Sequence, residues 1–174
     1  LFLNAQTADS RYVKELKRIS ETDYSKIAGK RTAEIKAKGY KVEKSLPDGY
    51  IKDGSVDYTA QLQTAINDNL VLIFPNFPIL VNENGLRIRS DQKILFEDGS
   101  ELWMKPNDKA HHHVLAIIAV NNVSLINPVI KGERATHLGT NGEWGMGINI
   151  LGSSNAMIIN PKVSDCWGDG IYIG

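Results

Sequence analysis

The chain has 174 residues and a formal net charge of zero, with 20 Lys and Arg against 20 Asp and Glu, and it is 42% apolar and 23% charged. That length gives room for one domain with a sizeable core, and the balanced charge removes the electrostatic case for a nucleic-acid or anionic-membrane partner. One cysteine, Cys166, excludes an internal disulfide and leaves the compartment open, and no apolar run approaches the length of a membrane span.

The opening Leu1-Phe2-Leu3-Asn4-Ala5-Gln6 reads either as the tail of a signal peptide or as a plain N-terminus, and three apolar residues favour the second. Residues 10–38 are rich in Lys, Glu and Ala and contain no proline, which predicts helix. Tyr12, Leu16 and Ile19 share one face of it, and the charges elsewhere read as a solvated surface. Gly39 is placed to stop this helix, and Leu46-Pro47-Asp48-Gly49 forms a turn. A second helix follows, N-capped by Asp57, with Tyr58, Leu62, Ala65 and Ile66 as its apolar stripe.

After Asn69 the period changes from helical to strand-like. Leu70-Val71-Leu72-Ile73-Phe74 is a buried strand, Pro75-Asn76-Phe77-Pro78 a turn, and Ile79-Leu80-Val81 another strand. Four related strands then begin at Gly85, Val114, Gly147 and Gly170, which are 29, 33 and 23 residues apart. The first three are each followed by an Asn- or Ser-containing corner and a further apolar strand, such as Lys93-Ile94-Leu95-Phe96 after the first. Trp144-Gly145-Met146-Gly147-Ile148 is echoed 23 residues later by Trp167-Gly168-Asp169-Gly170-Ile171, and Asn155 to Val163 echoes Asn122 to Ile130. Recurrence at a few tens of residues, in short β-branched runs, implies stacked coils of strands in which insertions become loops on one face. Two insertions stand out. Residues 131–143 are Gly-rich and hold Glu, Arg and His together, and residues 105–113 carry His111-His112-His113, read as a polar insertion loop.

Residues 57–66, with the pattern D-x-T-x-x-x-Q-x-A-I, and the Leu72-Ile73-Phe74-Pro75 that follows resemble the capping helix and first strand of the pectate-lyase-like superfamily. The resemblance runs from about Asp57 to the end, and the later N-V-x-I-x-N and G-I-x-I segments are similar to polygalacturonase-type glycoside hydrolases and phage tailspike depolymerases. It implies a single-stranded right-handed parallel β-helix (an all-β solenoid), with residues 1–50 as a helical N-terminal segment and 51–174 as its first coils. The final strand at Gly174 leads to the expectation that the coils continue in a longer protein. Of the three aspartates of the polygalacturonase-type motifs, only the one matched by Asp169 carries over, because Met146 and Gly168 occupy the other two places.

The resemblance implies a secreted, periplasmic or cell-surface enzyme acting on a polysaccharide, hydrolase before lyase. Glycoside hydrolysis needs two carboxylates about 5–10 Å apart, and coils about 4.8 Å apart can supply them. Glu143, Asp165 and Asp169 are therefore the acid/base candidates, though either Asp can equally cap a turn. Trp144 and Trp167, in register, can form a sugar platform or fill the core. Arg134 and His137 can bind a uronate carboxylate or brace the loop through Glu133 or Glu143. No metal site is expected for a hydrolase, and Ca²⁺ on carboxylates is implied only for a lyase. Cys166 reads as packing, and the pairs Asn122 with Asn155 and Asn127 with Asn160 read as internal ladders. The alternative is a non-catalytic glycan-binding or adhesive module, with the N-terminal helical segment serving attachment or homo-oligomerisation.

Overall fold

The structure, a computed structural model, describes residues 14 and 24–174. The expected Tyr12, Leu16 and Ile19 face and the first six residues lie outside the described residues. Helix α1 (Tyr24–Lys38) ends at Gly39 as the sequence predicts. Strand β1 (Tyr40–Lys41) and a 3₁₀ turn (Val42–Ser45) lead to helix α2 (Thr59–Asp68).

From there the chain is almost entirely strand and corner. The strands are β2 (Val71–Phe74), β3 (Pro78–Val81), β4 (Leu86–Arg87), β5 (Lys93–Phe96), β6 (Glu101–Met104), β7 (His111–Ile118), β8 (Ser124–Ile126), β9 (Val129–Lys131), β10 (Trp144–Leu151), β11 (Met157–Ile159), β12 (Lys162–Ser164) and β13 (Ile171–Ile173). They build three sheets, β1-β2-β5-β8-β11, β3-β6-β9-β12 and β4-β7-β10-β13, and every pairing is parallel. Each circuit of three strands visits the sheets in the same order, so equivalent residues stack. This arrangement is consistent with the expected parallel β-helix.

Stacking in register makes the core. Leu72, Ile94 and Leu125 align in the first sheet, Ile79, Leu102 and Ile130 in the second, and Leu86, Leu115 and Ile148 in the third. All nine are at most 1% exposed. Phe74 lies on Phe96 with ring centres 4.7 Å apart. A second apolar layer covers the outer side of the first sheet, where Ile73, Leu95, Ile126 and Ile159 meet Ile35 of helix α1. Among the described residues, no helix is long and apolar enough to cross a membrane.

Local polar contacts close the ends. The Asp57 carboxylate accepts the Thr59 backbone N–H at 3.0 Å and the Thr59 hydroxyl at 2.6 Å. Tyr58 therefore occupies the N-cap backbone position, while Asp57 does the capping from one residue further out. Gln92, fully buried, donates to the carbonyls of Ile66 and Asn69 and so satisfies the end of helix α2. The asparagine ladders exist but not in the interior. Asn122, Asn127, Asn155 and Asn160 hold left-handed corners, with φ between 52° and 58°, and their amides pair between circuits at 3.1–3.2 Å on the surface. A left-handed corner turns the chain outward, and Asn tolerates it better than most residues.

The triple histidine is the clearest correction. Residues 111–113 form the first half of β7, paired with Trp144 to Met146 of β10, and are not a loop. Adjacent strands of the stack satisfy their backbone groups, so extended pairing outweighs the polarity of the side chains.

Leu115 sits between Leu86 and Ile148 in the middle of the third sheet. Leu115→Ala should lower stability by about 2–5 kcal/mol in urea denaturation, whereas Ala at exposed Leu138 should change it by less than about 0.5 kcal/mol.

Candidate functional site

The insertion between β9 and β10 is anchored by a buried acid. Glu133, only 3% exposed, precedes a short 3₁₀ helix (Arg134–Thr136). One of its oxygens, Oε1, receives His112 Nε2 at 2.8 Å and His137 Nδ1 at 2.9 Å. Asn107 Nδ2 approaches the same oxygen at 3.4 Å. The other ring nitrogen of His112, Nδ1, faces the Lys109 carbonyl at 2.9 Å. A carbonyl only accepts, so His112 Nδ1 carries a proton, and donation to an ionised Glu133 makes His112 an imidazolium. His137 Nε2 is buried and meets no partner, which fits a neutral ring with its one proton on Nδ1.

Electrostatics agree with this assignment. Burial alone would push the His112 pKa down, but the Glu133 hydrogen bond and charge outweigh it and raise the pKa above its ordinary 6.5. Burial likewise works against the Glu133 carboxylate, and the hydrogen bonds from His112 and His137 hold its pKa below the ordinary 4.5. A raised histidine pKa contributes stability that is complete below 6.5 and lost as pH rises through the folded value. A depressed carboxylate pKa contributes stability that is complete above 4.5 and lost in acid. The pair is therefore strongest between those limits.

Aromatic stacking carries this anchor outward. The His137 ring lies on Trp167, with centres 4.1 Å apart and planes 16° apart. Trp167 Nε1 donates to the Gly142 carbonyl, which ties the strand approaching β13 to the end of the insertion. Gly145 makes the close approach possible, since a Cβ there would collide with the His112 ring and, at 2.6 Å, with Trp167 Cβ. Neighbouring circuits also meet where Gly168 N–H donates to the Gly145 carbonyl at 2.7 Å.

Beside this support lies a cleft of about 520 Å³ lined by Arg134, Thr140, Gly142, Glu143, Trp167, Gly168 and Asp169. Four of the predicted site residues, Arg134, Glu143, Trp167 and Asp169, thus share one opening. Asp165 does not line it. It stands in an adjoining hollow of about 270 Å³, and its left-handed backbone (φ 54°) presents its carbonyl to the Arg134 N–H at 2.8 Å, a corner role. His137 is enclosed beneath the cleft and not on its wall, with a side chain 1% exposed. Trp144 is half exposed and stacks face to face on His111 at 4.4 Å. The two tryptophans lie on different histidines, and Trp167 lines this cleft while Trp144 does not. Cys166 is buried, and burial followed by the Glu133 charge pushes its thiol pKa to about 11, so it stays protonated and packs. Among the described residues, no group of three or more His, Cys, Asp or Glu is arranged to hold a metal ion.

His112 is the participant that sequence reasoning missed. The signal was present: the 33-residue offset that aligns Val114 with Gly147 also aligns His112 with Gly145 and continues the strand back to His111. The bracing contact expected between His137 and Glu133 is present, while Arg134 faces the cleft.

Two relatives are similar to this chain. The SPbeta prophage-derived uncharacterized protein YorA of Bacillus subtilis (strain 168) is 32% identical over 96 residues, which cover 51% of this chain and 16% of the relative. The uncharacterized protein YclG of the same organism is 26% identical over 148 residues, covering 72% of this chain and 25% of the relative. The chain therefore spans a quarter or less of the length of these relatives. No family model matches the chain, and no solved structure matches it.

Removing one member of a buried pair leaves the other uncompensated, so Glu133→Ala should cost roughly 3–5 kcal/mol in chemical denaturation at pH 6. His113 behaves oppositely to His112. Burial first, then the Arg87 and His112 charges, depress its pKa to about 4. Its contribution to stability is present above pH 6.5 and lost as pH falls towards 4. His113→Phe should flatten the acid side of a stability profile over that range, as read by urea midpoints at successive pH values.

Proposed function

We propose that the chain is part of a right-handed parallel β-helix of the pectate-lyase-like type that binds and hydrolyses an acidic or complex polysaccharide, in a secreted, periplasmic or cell-surface setting. The supporting observation is the single cleft in which a cation (Arg134), two carboxylates (Glu143 and Asp169) and an aromatic wall (Trp167) converge. A sugar ring offers apolar C–H faces and hydroxyls, and a uronate adds a carboxylate. Trp167 suits the first, the carboxylates suit the hydroxyls, and Arg134 suits the uronate.

Glu143 and Asp169 belong to neighbouring circuits. A Cβ on Gly168 would collide with the Glu143 carbonyl, and the Asp169 carbonyl accepts the Gly147 N–H at 3.1 Å. Neighbouring circuits about 4.8 Å apart bring two carboxyl groups within the separations used for glycoside hydrolysis. In this reading one carboxyl group protonates the leaving oxygen while the other acts as base or nucleophile. β-Elimination is the lesser version. Its Ca²⁺ would require six to eight oxygens, of which the two cleft carboxylates hold four, and no step is assigned to a metal.

A specific observation favours a second reading, that of a non-catalytic glycan-binding or adhesive module. Met146 and Gly168 stand where the resemblance calls for aspartates, and Asp165 lies outside the cleft. The prophage-derived nature of one relative is compatible with a tailspike-like role, and the helical N-terminal segment would then serve attachment or homo-oligomerisation.

The deciding experiment is turnover of a polysaccharide panel, following reducing ends and ultraviolet absorbance together. Hydrolysis produces reducing ends without absorbance, and Asp169→Asn or Glu143→Gln should then slow it by about 10²–10⁴-fold. A rise in both signals would indicate elimination and move the base to a basic residue. Binding without either signal would leave the adhesive module.

A further inference from the structure

We infer that Glu133, His112 and His137 form a buried latch that sets the position of Trp167, and through it the wall of the cleft. These three are positioning residues. None reaches the opening; His137 touches Trp167, which does, and Glu133 and His112 act through His137.

Three features of the geometry carry the inference. Two rings from different segments, one in β7 and one in the insertion, bind the same carboxylate oxygen at 2.8 and 2.9 Å. Those rings are nearly parallel, 13° apart with centres separated by 5.9 Å, and the outer one lies on Trp167 at 4.1 Å. All three latch side chains are 1% exposed, so their contacts are little screened by water. A plain loop brace would need one such contact. Here the arrangement forms a column from β7 through Glu133 and His137 to the cleft wall.

Charge balance makes the latch responsive to pH. The fully bonded form has Glu133 ionised, His112 doubly protonated and His137 neutral with its proton on Nδ1. When His112 loses a proton, it must keep the one on Nδ1 that faces the Lys109 carbonyl. Its Nε2 then turns a lone pair towards the Glu133 oxygen, and a donor–acceptor contact becomes a repulsive one. Glu133 would then be held by His137 and Asn107. The surrounding charges are few. Glu83 acts on His112 and favours its charged form, Asp108 interacts with His137, and neighbouring His113 is itself held neutral over most of the range. The Cys166 thiol feels Glu133 but does not ionise near neutral pH. Global stability is a poor reporter, because His112 and His113 respond to pH in opposite directions, so the readout has to be local.

The inference rests on the cleft reading only for its consequence in binding, and its test does not need a glycan. In proton–nitrogen NMR of the protein from pH 5 to 9, the Trp167 indole resonance should shift with the midpoint shown by the His112 ring protons, above 6.5. Trp167→Phe, compared with Trp103→Phe and Trp144→Phe, identifies the resonance. Glu133→Gln should lower the His112 midpoint and abolish the coupled Trp167 shift. His137→Phe keeps a ring on Trp167 without the Nδ1 proton, so it should preserve the His112 titration and uncouple Trp167 from it. A Trp167 resonance that does not move over this range in the wild-type protein would overturn the latch, and that result requires no variant to fold. An unchanged coupled titration in Glu133→Gln would do the same. Affinity for polygalacturonate, measured by calorimetry at pH 6 and 8, then separates the two ideas. Coupled resonances without binding keep the latch and remove the glycan reading, whereas binding with an immobile Trp167 does the reverse.

Discussion

The pairing of β7 with β10 is the constraint on which the site depends. Seven residue pairs at a constant 33-residue offset, from Trp144 on His111 to Leu151 on Ile118, join the second and third circuits. A parallel pair of this length fixes both the height and the rotation of everything attached to it, because a slip of one residue would turn Ile148 and Ile150 out of the core. With that register set, Gly145 lies against the His112 ring, the insertion closes over it, and Glu143 emerges at the lip of the cleft. Moving the register would dissolve the site before it unfolded the stack.

The insertion itself has little apolar area with which to hold its shape. Its 3₁₀ turn has no buried residue, and Leu138 is 71% exposed. Order comes instead from one buried carboxylate and two imidazoles. Such a cluster is costly to desolvate and stabilises only when its geometry is good, so its value lies more in fixing one arrangement than in net free energy. The cleft residues are built differently. Arg134, Glu143 and Asp169 are exposed, and the backbones of Arg134 and Asp169 are held by hydrogen bonds between circuits.

Much of the architecture was legible because a parallel stack repeats its chemistry. Apolar residues recurring at equivalent places, as in Leu86, Leu115 and Ile148, specify strands and their alignment without reference to any partner. The Asn corners were legible too, since few other residues accept a left-handed backbone, but their place on the surface was not. The site was only partly legible. Arg134, Glu143, Trp167 and Asp169 could be grouped from the 23-residue echo and the insertion beside it. His112 could not be seen while the histidines were judged by polarity, since its partner lies 21 residues away and meets it only after β7 and β10 pair. Which of its two readings Asp165 would take was hidden for a related reason, because whether an aspartate holds a corner or faces a cleft depends on backbone rotation.

Amide hydrogen exchange with and without a polyuronate tests the account most directly. The protein should show slowed exchange confined to residues 134–144 and 167–169, the two segments that wall the cleft. Slowing centred on the separate hollow around Glu97, Asp98 and Gly99 would contradict the placement of the site on the insertion.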